Sequence, residues 1–272
     1  MKLTFRTLAF SLCLLSTSSQ AQKFYANLHA GYHFAVGGSL DDYYNATASS
    51  LSVTYTHKKM SHGTSLQSGL SIGYQFMKNI GIELGFSKAF QNQIVFKRSI
   101  KPAWQGYYFD EFIRSYSSYF ITPAIVVRSG YEKVNVYSKF GLVVLKGKSN
   151  TVYKENNNGF LSEIDYETKG ISGLGLHGAL GASIRLHKSV DLQLEINTSN
   201  VSGSPKSQTI TRRIEDGEDL LPEMTVSEKE TEYVKEFTIT QSDPDPTQPA
   251  KRLKVYIPYN NIGFRLGFVY KF

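Results

Sequence analysis

The segment Ile262-Gly263-Phe264-Arg265-Leu266-Gly267-Phe268-Val269-Tyr270-Lys271-Phe272 interleaves two different sequences. One parity reads Ile, Phe, Leu, Phe, Tyr, Phe, and the other reads Gly, Arg, Gly, Val, Lys. A β-strand sends alternate side chains to opposite faces, so the segment has one greasy aromatic face and one small or charged face. Its eleven residues are about what a tilted strand needs to cross a bilayer. The remaining chain is expected to repeat this pattern.

Seven further segments do so. Residues 24–34 place Phe24, Ala26, Leu28, Ala30, Tyr32 and Phe34 against Tyr25, Asn27, His29, Gly31 and His33. Residues 66–76 and 81–89 follow, joined by the short turn Met77-Lys78-Asn79-Ile80. Residues 116–127 are less clear, because Pro123 lacks the donor that a central strand uses, and a bulge there is needed. Residues 134–145 come after the turn Ser129-Gly130-Tyr131-Glu132-Lys133. Residues 171–186 and 190–197 flank His187-Lys188-Ser189, with Leu174, Leu176, Leu180 and Ile184 opposing glycines, His177 and Arg185.

Between these strands, residues 35–65, 90–114, 146–169 and 198–258 read as long hydrophilic connections, alternating with the short turns. The last is acidic: from Ser199 to Pro249 there are eleven Asp or Glu and five Lys or Arg, a local net charge of −6. Within it, residues 209–213 and 232–240 are candidates for an extramembrane hairpin. Long loops on one side and short turns on the other are the rhythm of outer-membrane barrels. The expected fold is therefore all-β: an eight-stranded antiparallel transmembrane β-barrel with long extracellular loops and short periplasmic turns. A soluble sandwich or calycin-like barrel is the competing fold. It would keep its large apolar residues inside and its charges outside, the reverse of this pattern.

The amino end supports export. Lys2 and Arg6 precede a mainly apolar run from Leu8 to Leu15, and Ser19-Gln20-Ala21 fits a small-x-small cleavage site. Residues 1–21 are expected to be a signal peptide, leaving residues 22–272 as the barrel domain with a long acidic loop at about 198–258. No stretch supplies the eighteen or so consecutive apolar residues of a spanning helix, and a barrel is the other architecture that satisfies its backbone in lipid. Cys13, the one cysteine, lies in the leader, so the mature chain has no disulfide framework and no thiol chemistry. Its loss with Lys2 and Arg6 takes the formal charge from +7 to +5, a weak basic excess that does not indicate nucleic acid.

The closing phrase Asn261-Ile262-Gly263-Phe264-Arg265-Leu266-Gly267 and Tyr119-Phe120-Ile121-Thr122-Pro123-Ala124-Ile125 resemble motifs of the small outer-membrane β-barrel domain family. That family includes OmpA-like transmembrane barrels and the opacity-protein, OmpX and OmpW type porin-like barrels. The resemblance implies residence in the bacterial outer membrane among lipid and lipopolysaccharide. Phe268, Tyr270 and terminal Phe272 resemble the aromatic signature by which the outer-membrane assembly machinery recognises such chains. It carries over no catalytic residue, and no trailing peptidoglycan-binding domain of the OmpA type is expected.

Inward-facing Glu83, Lys139, Arg185, Asp191, Glu195, Arg265 and Lys271, with His29 and His177 beside them, are expected to form a structural network in the lumen. Buried charges are tolerated when paired and hydrogen-bonded. A water-filled route and a catalytic site are the alternatives, and eight strands leave room for packed side chains or one small ligand. His29, His33, His57, His62, His177 and His187 show no spacing that specifies hydrolysis or acyl transfer. Residues 215–219 are acidic but lack a calcium-loop arrangement. Tyr43, Tyr44, Tyr107 and Tyr108 are candidate interfacial anchors. No catalytic, cofactor or metal-ligating residue is therefore assigned, and no cofactor is expected. The functional expectation is a non-enzymatic surface or envelope protein acting through its loops, with an extracellular ligand there as the candidate partner. A narrow porin-like channel is the alternative and a rim-located lipid-modifying enzyme a minor one.

Overall fold

Period-two alternation yields strands at all eight expected places, and four of them run well past the apolar pattern. The computed structural model describes residues 23–37, 44–48, 53–57, 61–100, 108–131, 133–238 and 245–272. The expected leader, Tyr43, Trp104 and Tyr107 lie outside the described residues. The principal strands are β1 (Lys23–Ala35), β2 (Ser65–Gln75), β3 (Ile80–Ile100), β4 (Tyr108–Arg128), β5 (Val134–Asn157), β6 (Phe160–His187), β7 (Val190–Asn200) and β8 (Asn261–Lys271). No helix among the described residues is long and apolar enough to cross a membrane.

Antiparallel pairing passes from each of these strands to the next, and β8 pairs in turn with β1, Tyr25 opposite Lys271 and Ala35 opposite Asn261. Pro123 is accommodated asymmetrically. It sits opposite Leu84 on the β3 side, while the β5 ladder skips from Ile121–Val144 to Ala124–Gly141. The missing N–H thus interrupts one ladder and leaves β4 intact.

The extensions correct two loop readings. Residues 90–114 and 146–169 are largely strand: β3 reaches Ile100, β4 starts at Tyr108, and β5 and β6 zip together as far as Asn157 opposite Phe160. Their hairpin turns on Asn158 (φ 54°) and Gly159 (φ 96°), the Asn-Gly pair that a two-residue turn with two positive φ angles favours. The acidic segment is also ordered in part. Ser207–Glu215 pairs with β6, Glu230–Val234 pairs with Ser207–Thr209, and Ala250–Leu253 adds to Glu230–Val234 in parallel. A short helix, Val226–Lys229, is capped by Thr225, whose side chain accepts from the Glu228 N–H. The result is a lateral sheet growing from the tip of the β5–β6 hairpin.

Sidedness is unambiguous. Leu174, Leu180 and Phe264 are 67%, 68% and 58% exposed, whereas Glu195 and Arg265 retain 6% and 9%. The enclosed side chains fall into two zones. Toward the short turns they are mainly polar, with Val126 and Val269 among them. Toward the long connections, Ala89, Tyr116, Phe120, Val143, Leu145, Ile171, Val201, Ile257 and Tyr259 form an apolar cluster. Phe120 was expected to face inward, but the cluster departs from an interior expected to be mainly small or charged, and it exists because Val201, Ile257 and Tyr259 fold back over the strand ends.

Candidate functional site

Four strands contribute one charge each to the polar interior: Glu83 from β3, Lys139 from β5, Glu195 from β7 and Arg265 from β8. Lys139 Nζ lies 2.8 Å from Glu83 Oε1 and 2.8 Å from Glu195 Oε2. Arg265 Nη1 lies 3.6 Å from Glu195 Oε1, its direct cross-strand neighbour. Two carboxylates meet two cations, so the cluster is electrically balanced where desolvation penalises any excess charge.

The remaining lone pairs and protons are filled locally. Tyr25 donates to Glu83 Oε2 at 2.9 Å, and Tyr137 donates to Glu195 Oε2 at 3.1 Å. Gln193 donates to Glu195 at 3.2 Å and also contacts the Tyr137 hydroxyl. Arg265 Nη2 donates to Gln67 Oε1 at 3.3 Å. The Asn197 amide satisfies both neighbours when its oxygen faces the guanidinium at 2.8–2.9 Å and its nitrogen faces His33 Nε2 at 3.1 Å.

Three of these inward rings lie over glycines on the adjacent strand: Tyr25 opposite Gly73, Tyr137 opposite Gly181, and His33 opposite Gly263. A Cβ at any of the three glycines would collide with the facing ring. The glycines supply the space that lets each ring lie along the wall and still reach the axis.

The other proposed network residues sit apart. Lys271 and Asp191 form a separate pair at 2.5 Å near the short-turn end. Arg185 is exposed there and reaches no member of the central cluster. Phe268, Tyr270 and Phe272 all point outward, the last two with ring centroids 5.1 Å apart. The residues that sequence reasoning passed over are Tyr25, Tyr137, Gln67, Gln193, Asn197 and Arg128. The inward parity of the first five was visible and Arg128 lay one residue past the expected strand, but nothing in a strand pattern says which polar residues meet across the interior.

His29 Nε2 lies 3.0 Å from Ser87 Oγ, and His177 Nδ1 lies 3.2 Å from Ser199 Oγ. Both pairs are buried, and neither imidazole is hydrogen-bonded to a carboxylate among the described residues. Beside them lies a void of about 10 Å³, roughly one water. Among the described residues no group of three or more His, Cys, Asp or Glu is placed to hold a metal ion.

A second polyaromatic site lies in the apolar cluster. His62 packs on Tyr116 (4.7 Å between centroids) and Tyr259 (5.3 Å), while Tyr116 donates to the Thr64 carbonyl at 2.7 Å. Burial chiefly, aided by the Arg114 charge, lowers the His62 pKa to about 3.

A strand-rich wall with apolar residues outside and balanced charges within defines an outer-membrane barrel-like domain. The chain belongs to the outer membrane protein beta-barrel domain family, whose model matches residues 7–214, and it is accordingly a protein of the bacterial outer membrane. Among solved structures it is similar to Neisserial surface protein A, at 11% identity, covering 92% of this chain and 97% of that one, with a TM-score of 0.39. OprG from Pseudomonas aeruginosa is 12% identical, covering 93% and 96%, with a TM-score of 0.45. The attachment invasion locus protein Ail of Yersinia pestis is 12% identical, covering 92% and 97%, with a TM-score of 0.35. Curated proteins give no match.

Proposed function

We propose that the eight principal strands close into an antiparallel transmembrane barrel, and that the protein is a non-enzymatic surface component acting through its long-connection end. The observation that carries this reading is the filled interior. Ion pairs occupy the middle, the apolar cluster seals one end, and the void beside Lys139 holds about 10 Å³. A lumen so packed offers solutes no path, which weighs against a porin-like channel. The return of pairing from β8 to β1 supports closure.

In this reading residues 1–21 direct export and are removed, and Phe268, Tyr270 and Phe272 engage the assembly machinery. Outward Leu174, Leu180 and Phe264 meet lipid, with lipopolysaccharide around the far end. The lateral sheet on β6 is extracellular and meets an environmental or host molecule through exposed Phe160, Leu161 and Tyr256. Its ion pairs, such as Arg212–Glu163 at 2.8 Å, are exposed and contribute little to stability.

Cysteine labelling tests the orientation, since the chain beyond Cys13 is free of thiols. A membrane-impermeant maleimide applied to intact cells should label Gly217→Cys and leave Lys188→Cys unlabelled until the cells are lysed. The reverse pattern overturns the topology. Reproducible open steps from the purified protein in planar bilayers would overturn the sealed-lumen reading.

A further inference from the structure

The short-turn end is not sealed by the apolar cluster. It opens into a recess of about 370 Å³ lined by Lys78, Arg128, Arg185, Lys188 and Lys271. Lys271 is matched by Asp191 at 2.5 Å. The other four cations pair with no carboxylate among the described residues.

Arg128 forms the floor and is built into place. The residue is 9% exposed, with the guanidinium carbon 4.8 Å from the Tyr25 ring centroid and 5.4 Å from that of Tyr137. Both hydroxyls are committed to Glu83 and Glu195, so the rings cannot swing away without breaking the central network. Its backbone is pinned twice by Asn79: Arg128 N–H donates to the Asn79 carbonyl at 2.7 Å, and Asn79 Nδ2 donates to the Arg128 carbonyl at 2.7 Å. The guanidinium sits over both rings and turns one N–H toward the Tyr25 hydroxyl, which leaves its other N–H groups as a fork suited to the oxygens of one anion. With Asp191 already matched by Lys271, the exposed cations around the rim leave a net positive field that draws anions into the cleft.

We infer that this recess is a binding site for a phosphate-bearing anion, held by Arg128 and gathered by Arg185, Lys188 and Lys78. The volume admits a phosphate with a small polyol attached, at the low end of ordinary ligand pockets. The inference rests on the barrel reading above. The ligand is either a soluble phosphate ester or the headgroup of an anionic phospholipid reaching over the rim.

The full chain, folded in a maltoside detergent without phosphate, supplies the test. Folding is scored first by heat-modifiable gel migration, so a failure of the barrel reading registers before any ligand is added. Glycerol 3-phosphate is then titrated by calorimetry, and in a second arm phosphatidylglycerol is titrated as mixed micelles against phosphatidylcholine. Arg128→Gln should weaken binding about tenfold or more, the loss of a charge-assisted pair. Arg185→Gln/Lys188→Gln, both at exposed positions where folding is not at stake, should weaken it severalfold and reduce its salt dependence. Loss in the first arm assigns a soluble ester. Loss confined to the second arm assigns the lipid headgroup. A correctly folded protein that binds neither probe, or whose binding ignores both variants, overturns the inference while leaving the barrel standing.

Discussion

Replacing Lys139 with methionine keeps the length of the stem and removes the cation that joins Glu83 and Glu195, each 2.8 Å away. The two carboxylates would not suffer equally. Glu195 keeps Tyr137, Gln193 and Arg265, whereas Glu83 keeps only Tyr25 as a direct side-chain partner. Taking one partner from a buried ion pair costs about 3–5 kcal/mol, because the survivor remains desolvated and uncompensated. K139M should therefore lower stability by about that amount, measured by urea unfolding in phospholipid vesicles with folded and unfolded forms resolved by gel mobility. The midpoint shift multiplied by the slope gives the difference. Adding Glu83→Gln removes the stranded charge and should restore about 1–3 kcal/mol, the coupling expected of contacting residues. If K139M unfolds within about 0.5 kcal/mol of the parent, or E83Q adds a further loss to K139M, the balanced-cluster argument is wrong.

Other perturbations reach different parts of the molecule. Leu180→Arg should cost about 2–4 kcal/mol if that position lies near the bilayer midplane, while Leu253→Arg on the lateral sheet should stay within about 0.5 kcal/mol; equal costs would remove the distinction between lipid and water. Gly181→Ala places a methyl group against the Tyr137 ring and should cost about 1–3 kcal/mol in the same unfolding assay, and an unchanged midpoint would show that the ring has room to move. His62 is held neutral with its pKa lowered to about 3, so the unfolded chain takes up a proton below about 6.5 that the folded chain refuses. Its contribution is complete above that value and declines as pH falls toward 3, by up to about 1.4 kcal/mol per pH unit. His62→Phe should flatten this decline, and an NMR titration placing the His62 pKa above 6 would contradict the burial argument.

The wall was legible because each of its strands has one face in lipid and one in the interior, which forces a strict alternation. The lateral extensions were not, and the reason is the same physics. Strands such as Asn150–Asn157 carry polar residues on both faces, so no parity stands out and they read as loop. The turn chemistry was there to be seen in Asn158-Gly159 and Asp216-Gly217, both now at positive φ. The site divides similarly. Glu83, Lys139, Glu195 and Arg265 were identifiable as inward charges, yet the separation of Lys271–Asp191 and the exposure of Arg185 depend on distance along the axis, which parity does not encode. The apolar cluster was hidden because Val201, Ile257 and Tyr259 come from a segment whose composition is otherwise acidic and solvated.

Among the described residues the lateral sheet ends on Ala250–Leu253, which pairs on one side with Glu230–Val234 and leaves its other backbone rim unpaired. Such a rim is a template for another chain. Here it carries Lys251 and Arg252, followed by Lys254, all exposed. Two copies meeting rim to rim would bring like charges into register, so the molecule can crowd its neighbours in a dense envelope without zipping to them. A ligand strand of opposite sign would meet no such barrier.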